Sequence, residues 1–129
     1  MTRQRFRLLR YPFLALALIL GLLVIHHQYW MSAAPASVQR MQTVTISNAG
    51  FLPNKLTARK GEIVSLTIIN TDIRPHNLVI QELNVSSIDL KPSQSTTLQF
   101  AAAKEGQFPF VSNTPGYPET GYQGILIIN

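Results

Sequence analysis

With 129 residues, the chain has room for one small domain and an appendage. It contains no cysteine, which excludes disulfides, thiolate nucleophiles, cysteine zinc sites and any copper–thiolate bond. The net charge of +5 is local: Arg3, Arg5, Arg7 and Arg10 supply four of the eleven basic residues, and from Tyr11 onward seven basic residues meet six acidic ones. Nucleic-acid binding needs a basic face rather than a basic tip, so that function is excluded as well.

The first ten residues form the basic tip, and residues 13–25 are wholly apolar. A cleaved signal peptide has an apolar core of about 7–15 residues followed by a small-residue cleavage site. Ala34-Pro35-Ala36 offers such a site but lies far beyond Ile25. A retained anchor needs about 20 mostly apolar residues. Residues 11–30 reach that length, with Tyr11 at one end and Tyr29-Trp30 at the other in the places of interfacial aromatics. The expectation is a single-pass signal-anchor over 11–30 in the cytoplasmic (inner) membrane. The arginines then stay in the cytoplasm and the rest lies on the periplasmic or extracellular side. His26, His27 and Met31 read as interfacial polar residues just outside the apolar run. Residues 31–41 are small and polar and read as a linker.

The remaining residues, 42–129, read as one β domain. Val44 and Ile46 alternate with threonines and a serine, as in a half-buried strand. Short strands are expected over 55–59, 62–70, 77–82, 95–101, 108–112 and 124–129, separated by turn residues such as Asn48-Ala49-Gly50 and Lys60-Gly61. Seven strands at this spacing indicate an all-β sandwich or barrel. The expected core includes Phe51, Leu56, Val64, Leu66, Ile68, Leu78, Ile80, Leu98, Phe100, Phe108, Phe110, Leu126 and Ile128.

The last segment carries the most information. Period-two counting puts Phe108, Phe110 and Ser112 on one inward face. A loop rich in proline and glycine follows, through Pro115, Gly116, Pro118 and Gly121, and leads into the final strand at Gly124. A strand, a turn-rich loop and a return strand suit a small site at one end of a sandwich. Asp72, Glu82, Asp89 and Glu119 are separated by turns and read as solvated charges. No nucleophile–base pair, carboxylate dyad or phosphate loop is evident, so no enzyme is expected.

Taken with His76, this loop resembles the metal loop of cupredoxins, close to the EfeO-type domains and related to the copper domain of cytochrome oxidase subunit II. The opening Val-Thr-Ile-Ser-Asn-Ala-Gly-Phe-Leu-Pro, the Lys60-Gly61-Glu62-Ile63-Val64 turn and the segment around Arg74-Pro75-His76-Asn77 are similar to the family in the same order. The resemblance implies a Greek-key β-sandwich. It also implies a copper site at His76, Ser112, Tyr117 and Tyr122, where the family places His, Cys, His and Met. Only His76 matches in type. A type 1 centre needs two imidazoles, a thiolate and a weak axial ligand. The expectation is therefore a membrane-anchored cupredoxin-like domain with a degenerate copper site and no cofactor. Its His76/Tyr117 end would face an envelope protein partner, and the tyrosines would fill the volume of the missing metal. The alternative is a copper-binding or electron-transfer protein with an unconventional site built from His76, Tyr117, Tyr122 and His26 or His27.

Overall fold

The computed structural model describes residues 36–129 together with Ile19 and Leu20. The basic tip, the expected anchor and residues 31–35 of the linker lie outside the described residues, apart from Ile19 and Leu20, which are helical. Among the described residues, no helix is long and apolar enough to cross a membrane. Ser37–Asn129 form one compact unit.

This unit is an all-β sandwich of two sheets. The strands are β1 (Gln39–Ser47), β2 (Gly50–Leu52), β3 (Lys55–Ala58), β4 (Ile63–Asn70), β5 (Val79–Ile80), β6 (Val85–Ser86), β7 (Ser95–Ala101), β8 (Gly106–Val111) and β9 (Gln123–Ile128). One sheet has the order β2-β1-β4-β7 and the other β3-β9-β8-β5-β6. The chain changes sheets after β2, so β1 pairs with β4 in parallel and β3 pairs with β9 in parallel. The other strand pairings are antiparallel.

The alternation read from the sequence is the alternation of burial. Val44 and Ile46 on β1 and Val64, Leu66 and Ile68 on β4 are fully buried. They face Leu56, Phe108, Phe110, Leu126 and Ile128 of the other sheet within one core cluster. Phe51 and Phe110 meet edge to face, with centroids 5.0 Å apart. Each such side chain contributes roughly 1.5–3 kcal/mol through removal from water.

Strands β1, β2 and β5 depart from expectation, and β6 was not expected at all. Strand β1 begins at Gln39, inside the expected linker, because β4 offers a parallel partner as far back as Ile63 and Arg40 pairs with Glu62 at 2.7 Å. Strand β2 follows the expected turn directly and is only three residues long. The strand expected over 77–82 shrinks to Val79–Ile80 and continues as a 3-10 turn, Gln81–Leu83. The backbone before it is already committed: His76 exchanges hydrogen bonds with Leu90 (3.1 and 2.7 Å), and Leu78 accepts from Ser87 N–H.

The ends of β1, β4 and β8 and the starts of β7 and β9 gather at one pole. Gly50 shows how tightly the connections meet there. Its φ is +95°, and a Cβ would sit 2.4 Å from the carbonyl oxygen of Gly121 in the last loop.

Candidate functional site

At this pole three connections converge: the 71–78 segment after β4, the 87–94 segment before β7, and the 112–122 loop between β8 and β9. Asn70, fully buried at the end of β4, shapes the first. Its amide donates to the carbonyls of Arg74 and Leu90, both at 2.8 Å, and its Oδ1 accepts from Asp72 N–H at 2.9 Å. Asn77 joins the first connection to the other two. It exchanges side-chain and backbone bonds with Asn113 (2.8 and 2.9 Å), and its amide also donates to Asp89 at 2.9 Å.

His76 sits fully buried at the centre. Its Nε2 lies 2.8 Å from Asp72 Oδ2 and its Nδ1 lies 2.8 Å from Glu119 Oε2. The Tyr122 hydroxyl donates to the same Asp72 oxygen at 2.6 Å, and Ile73 N–H donates to the other at 2.6 Å. The Tyr122 ring stacks on the imidazole with centroids 4.1 Å apart and planes 24° apart. Ser112, also fully buried, donates its hydroxyl to Glu119 Oε2, accepts from Asn77 N–H at 3.3 Å and lies 3.4 Å from His76 Nδ1. Arg74 covers the outer side, donating to Tyr122 Oη at 3.2 Å with its guanidinium 5.8 Å from that ring's centre.

The proton arrangement follows from these contacts. The bonds from Tyr122 first and His76 second hold the Asp72 carboxyl at about 2, below its ordinary 3.8 and against the opposing effect of burial. An ionised carboxylate only accepts, so Nε2 of His76 carries a hydrogen. Between Nδ1 and Glu119 one more proton bridges two acceptors. Burial, and then the bond to Asp72, push the Tyr122 phenol above its ordinary 10, so it stays a neutral donor. No buried side-chain nitrogen or oxygen among the described residues lacks a partner.

The structure brings three of the four sequence-derived positions together, His76, Ser112 and Tyr122, and leaves the fourth outside. Tyr117 is 65% exposed on the tip of the loop. It fills no interior volume, which corrects that part of the expectation. Asp72 and Glu119 are also corrected: they are the two partners of the imidazole rather than solvated charges. The loop path explains both differences. Gly116 N–H bonds Asn113 O at 2.8 Å and Glu119 N–H bonds Ser112 O at 2.8 Å, so the chain turns outward at Tyr117 and returns at Glu119. A carboxylate four residues before His76 and another three before Tyr122 were the available signals.

A hydroxyl, an imidazole and a carboxylate stand in series here, which the sequence did not suggest. They lack the access that a nucleophile needs. Ser112 has no exposed surface, and its hydrogen is directed at Glu119.

The fold is similar to that of several solved structures, some of whose titles name copper. Reduced auracyanin from Roseiflexus castenholzii is 19% identical, with a TM-score of 0.61 over 74% of this chain and 99% of that one. Auracyanin A from Chloroflexus aurantiacus, titled a blue copper protein, is 17% identical with a TM-score of 0.55 over 70% and 100%. The metal-binding domain of a Cu(I)-exporting ATPase from Streptococcus pneumoniae is 11% identical with a TM-score of 0.58 over 75% and 92%. No curated protein matches this chain by sequence.

The residues present do not fit a type 1 copper centre. Such a centre takes its strongest bond from a thiolate and needs free imidazole nitrogens. The chain has no cysteine. Both nitrogens of His76 face carboxylate oxygens, and the Tyr122 ring lies flat on the imidazole. Among the described residues, no group of three or more His, Asp or Glu side chains is arranged to hold a metal ion. The frame of the family is nevertheless present: a family profile described as a cupredoxin-like domain matches residues 13–128, and the chain belongs to that family.

Proposed function

We propose that the chain is a membrane-anchored, extracytoplasmic binding or accessory module of the EfeO-type or cytochrome oxidase subunit II-like branch. In it a hydrogen-bonded carboxylate–imidazole cluster stands where its relatives carry copper. It is neither an enzyme nor an electron carrier. The observation that carries this reading is the double engagement of His76 by Asp72 and Glu119, with Ser112 where a thiolate would be. A buried histidine with both nitrogens satisfied is a structural hub, and ligation would leave a carboxylate unpaired in a dry place. The loop pole supports a role in contact with an envelope protein. Ile73 and Tyr117 stand strongly exposed on the two connections that the cluster ties together.

The test is copper titration of the purified full-length chain in detergent micelles, followed by visible absorbance and bound-metal analysis after gel filtration. The expected result is no intense visible band and no stoichiometric copper that depends on His76. One equivalent of tightly held copper, lost in His76→Gln, would instead establish the metal-handling reading.

A further inference from the structure

Sheet edges are where a β protein invites unwanted pairing, and they are usually blunted by brevity, charge or proline. Three of the four edges here follow that rule: β2 has three residues, β6 has two, and β3 has four and begins with Lys55. The fourth does not. Strand β7, Ser-Thr-Thr-Leu-Gln-Phe-Ala, has seven residues with no charge and no proline, and forms the outer edge of its sheet.

The register of β7 on β4 tells which backbone groups have no partner among the described residues. Leu98 stands opposite Leu66, and the antiparallel ladder continues past both ends of the strand. Asn70 N–H bonds Gln94 O and Ala102 N–H bonds Glu62 O, both at 2.9 Å. Antiparallel ladders alternate, so even-numbered residues of β7 bond to β4. The N–H and C=O groups of Ser95, Thr97, Gln99 and Ala101 therefore point to the open edge. The inner face of this strand is also less covered than that of its neighbour. Leu98 and Phe100 are only partly buried, whereas their partners Leu66 and Val64 are fully buried.

We propose that β7 pairs antiparallel with β7 of a second copy of this chain, about a two-fold axis beside Leu98. This register sets Thr97 against Gln99 and Ser95 against Ala101 of the second copy, and each pair exchanges two hydrogen bonds. It uses the outward groups of all four residues. Centring the axis on Thr97 or Gln99 leaves Ala101 or Ser95 without a partner. On the inner face the two Leu98 side chains meet and Thr96 covers Phe100. The product is a continuous sheet in the order β2-β1-β4-β7-β7-β4-β1-β2. An extended segment of another protein is the other occupant such an edge accepts, but it does not account for this two-fold match of bonds and apolar side chains.

The chain has no cysteine, so one introduced thiol is the only thiol present. In the proposed register, Leu98→Cys faces itself in a non-hydrogen-bonded pair, with Cα atoms about 4.5 Å apart, within reach of a disulfide. Thr96→Cys in the same register is separated from its counterpart by four residue steps, roughly 13 Å. The full-length variants are oxidised in membranes and resolved on non-reducing gels. We expect a disulfide dimer with L98C, little or none with T96C, and its loss when Gln99→Pro, which removes an outward N–H, is added to L98C. Because Leu98 is partly buried, exposed Ser95→Cys and Ala101→Cys are also co-expressed and treated with a short bismaleimide. That pair should give the mixed dimer in excess over either homodimer. A folded L98C that stays monomeric, equal dimer from T96C, a random mixture of S95C and A101C products, or cross-links only to a different protein would each overturn the proposal.

Discussion

His76 has two ring nitrogens, and each meets a carboxylate oxygen at 2.8 Å. That pair of distances separates this pole from a metal centre more sharply than any substitution taken alone. Its consequence for acidity has a definite sign. Asp72 is held at about 2 against an ordinary 3.8, so its stabilising bonds are complete above about 4 and are lost as pH falls through about 2. Melting temperature should fall across that window in the native chain. Asp72→Asn should melt lower at neutral pH, since an amide nitrogen then faces a donor, and its dependence on pH between about 4 and 2 should be flatter. Parallel acid limbs for the two proteins would show that Asp72 carries no such linkage. At this scale the sequence was half legible. His76 and Ser112 were found because one follows a family-like segment and the other continues the strand alternation of Phe108 and Phe110. Asp72 and Glu119 were missed because loops have no period to count, and the exposure of Tyr117 was missed because counting along a loop does not say where it turns.

Among the elements, the strands were legible wherever one face is buried: β4, β7, β8 and β9 differ from expectation by at most two residues at an end. The short pieces were not, because β2, β5 and β6 exist through their neighbours rather than through any pattern of their own. Phe110 illustrates the first kind. It is fully buried, packs on Phe51 and touches the space above Gly124, where a Cβ would come within 2.2 Å of its ring. Phe110→Ala should cost about 3–5 kcal/mol in chemical denaturation, whereas a change below about 1 kcal/mol would mean that the two sheets close over the gap. The 112–122 loop permits a constructive test. Ser112→Cys, Tyr117→His and Tyr122→Met restore the family's ligand types, but Glu119 still faces Nδ1 of His76. The triple variant should therefore stay colourless, and adding Glu119→Ala should allow an intensely coloured Cu(II) centre. Colour in the triple variant alone would show that Glu119 is easily displaced.

At the scale of the whole domain, the described residues form one closed sandwich. The core runs continuously between the sheets, and the loop pole is closed by a hydrogen-bonded network in which, among the described residues, every buried side-chain polar atom is satisfied. The general class was readable from strand spacing and the absence of cysteine. What filled the pole was not, since it depends on three loops meeting in space. The central claim is that His76 is held by two carboxylates and is not a ligand. It is tested most directly by 15N NMR of the histidine rings, with His76 assigned through His76→Gln, before and after addition of diamagnetic Cu(I). The account predicts a protonated, hydrogen-bonded Nε2 and His76 ring signals that do not move when Cu(I) is added. A His76 ring nitrogen that shifts on one equivalent of Cu(I) would contradict it.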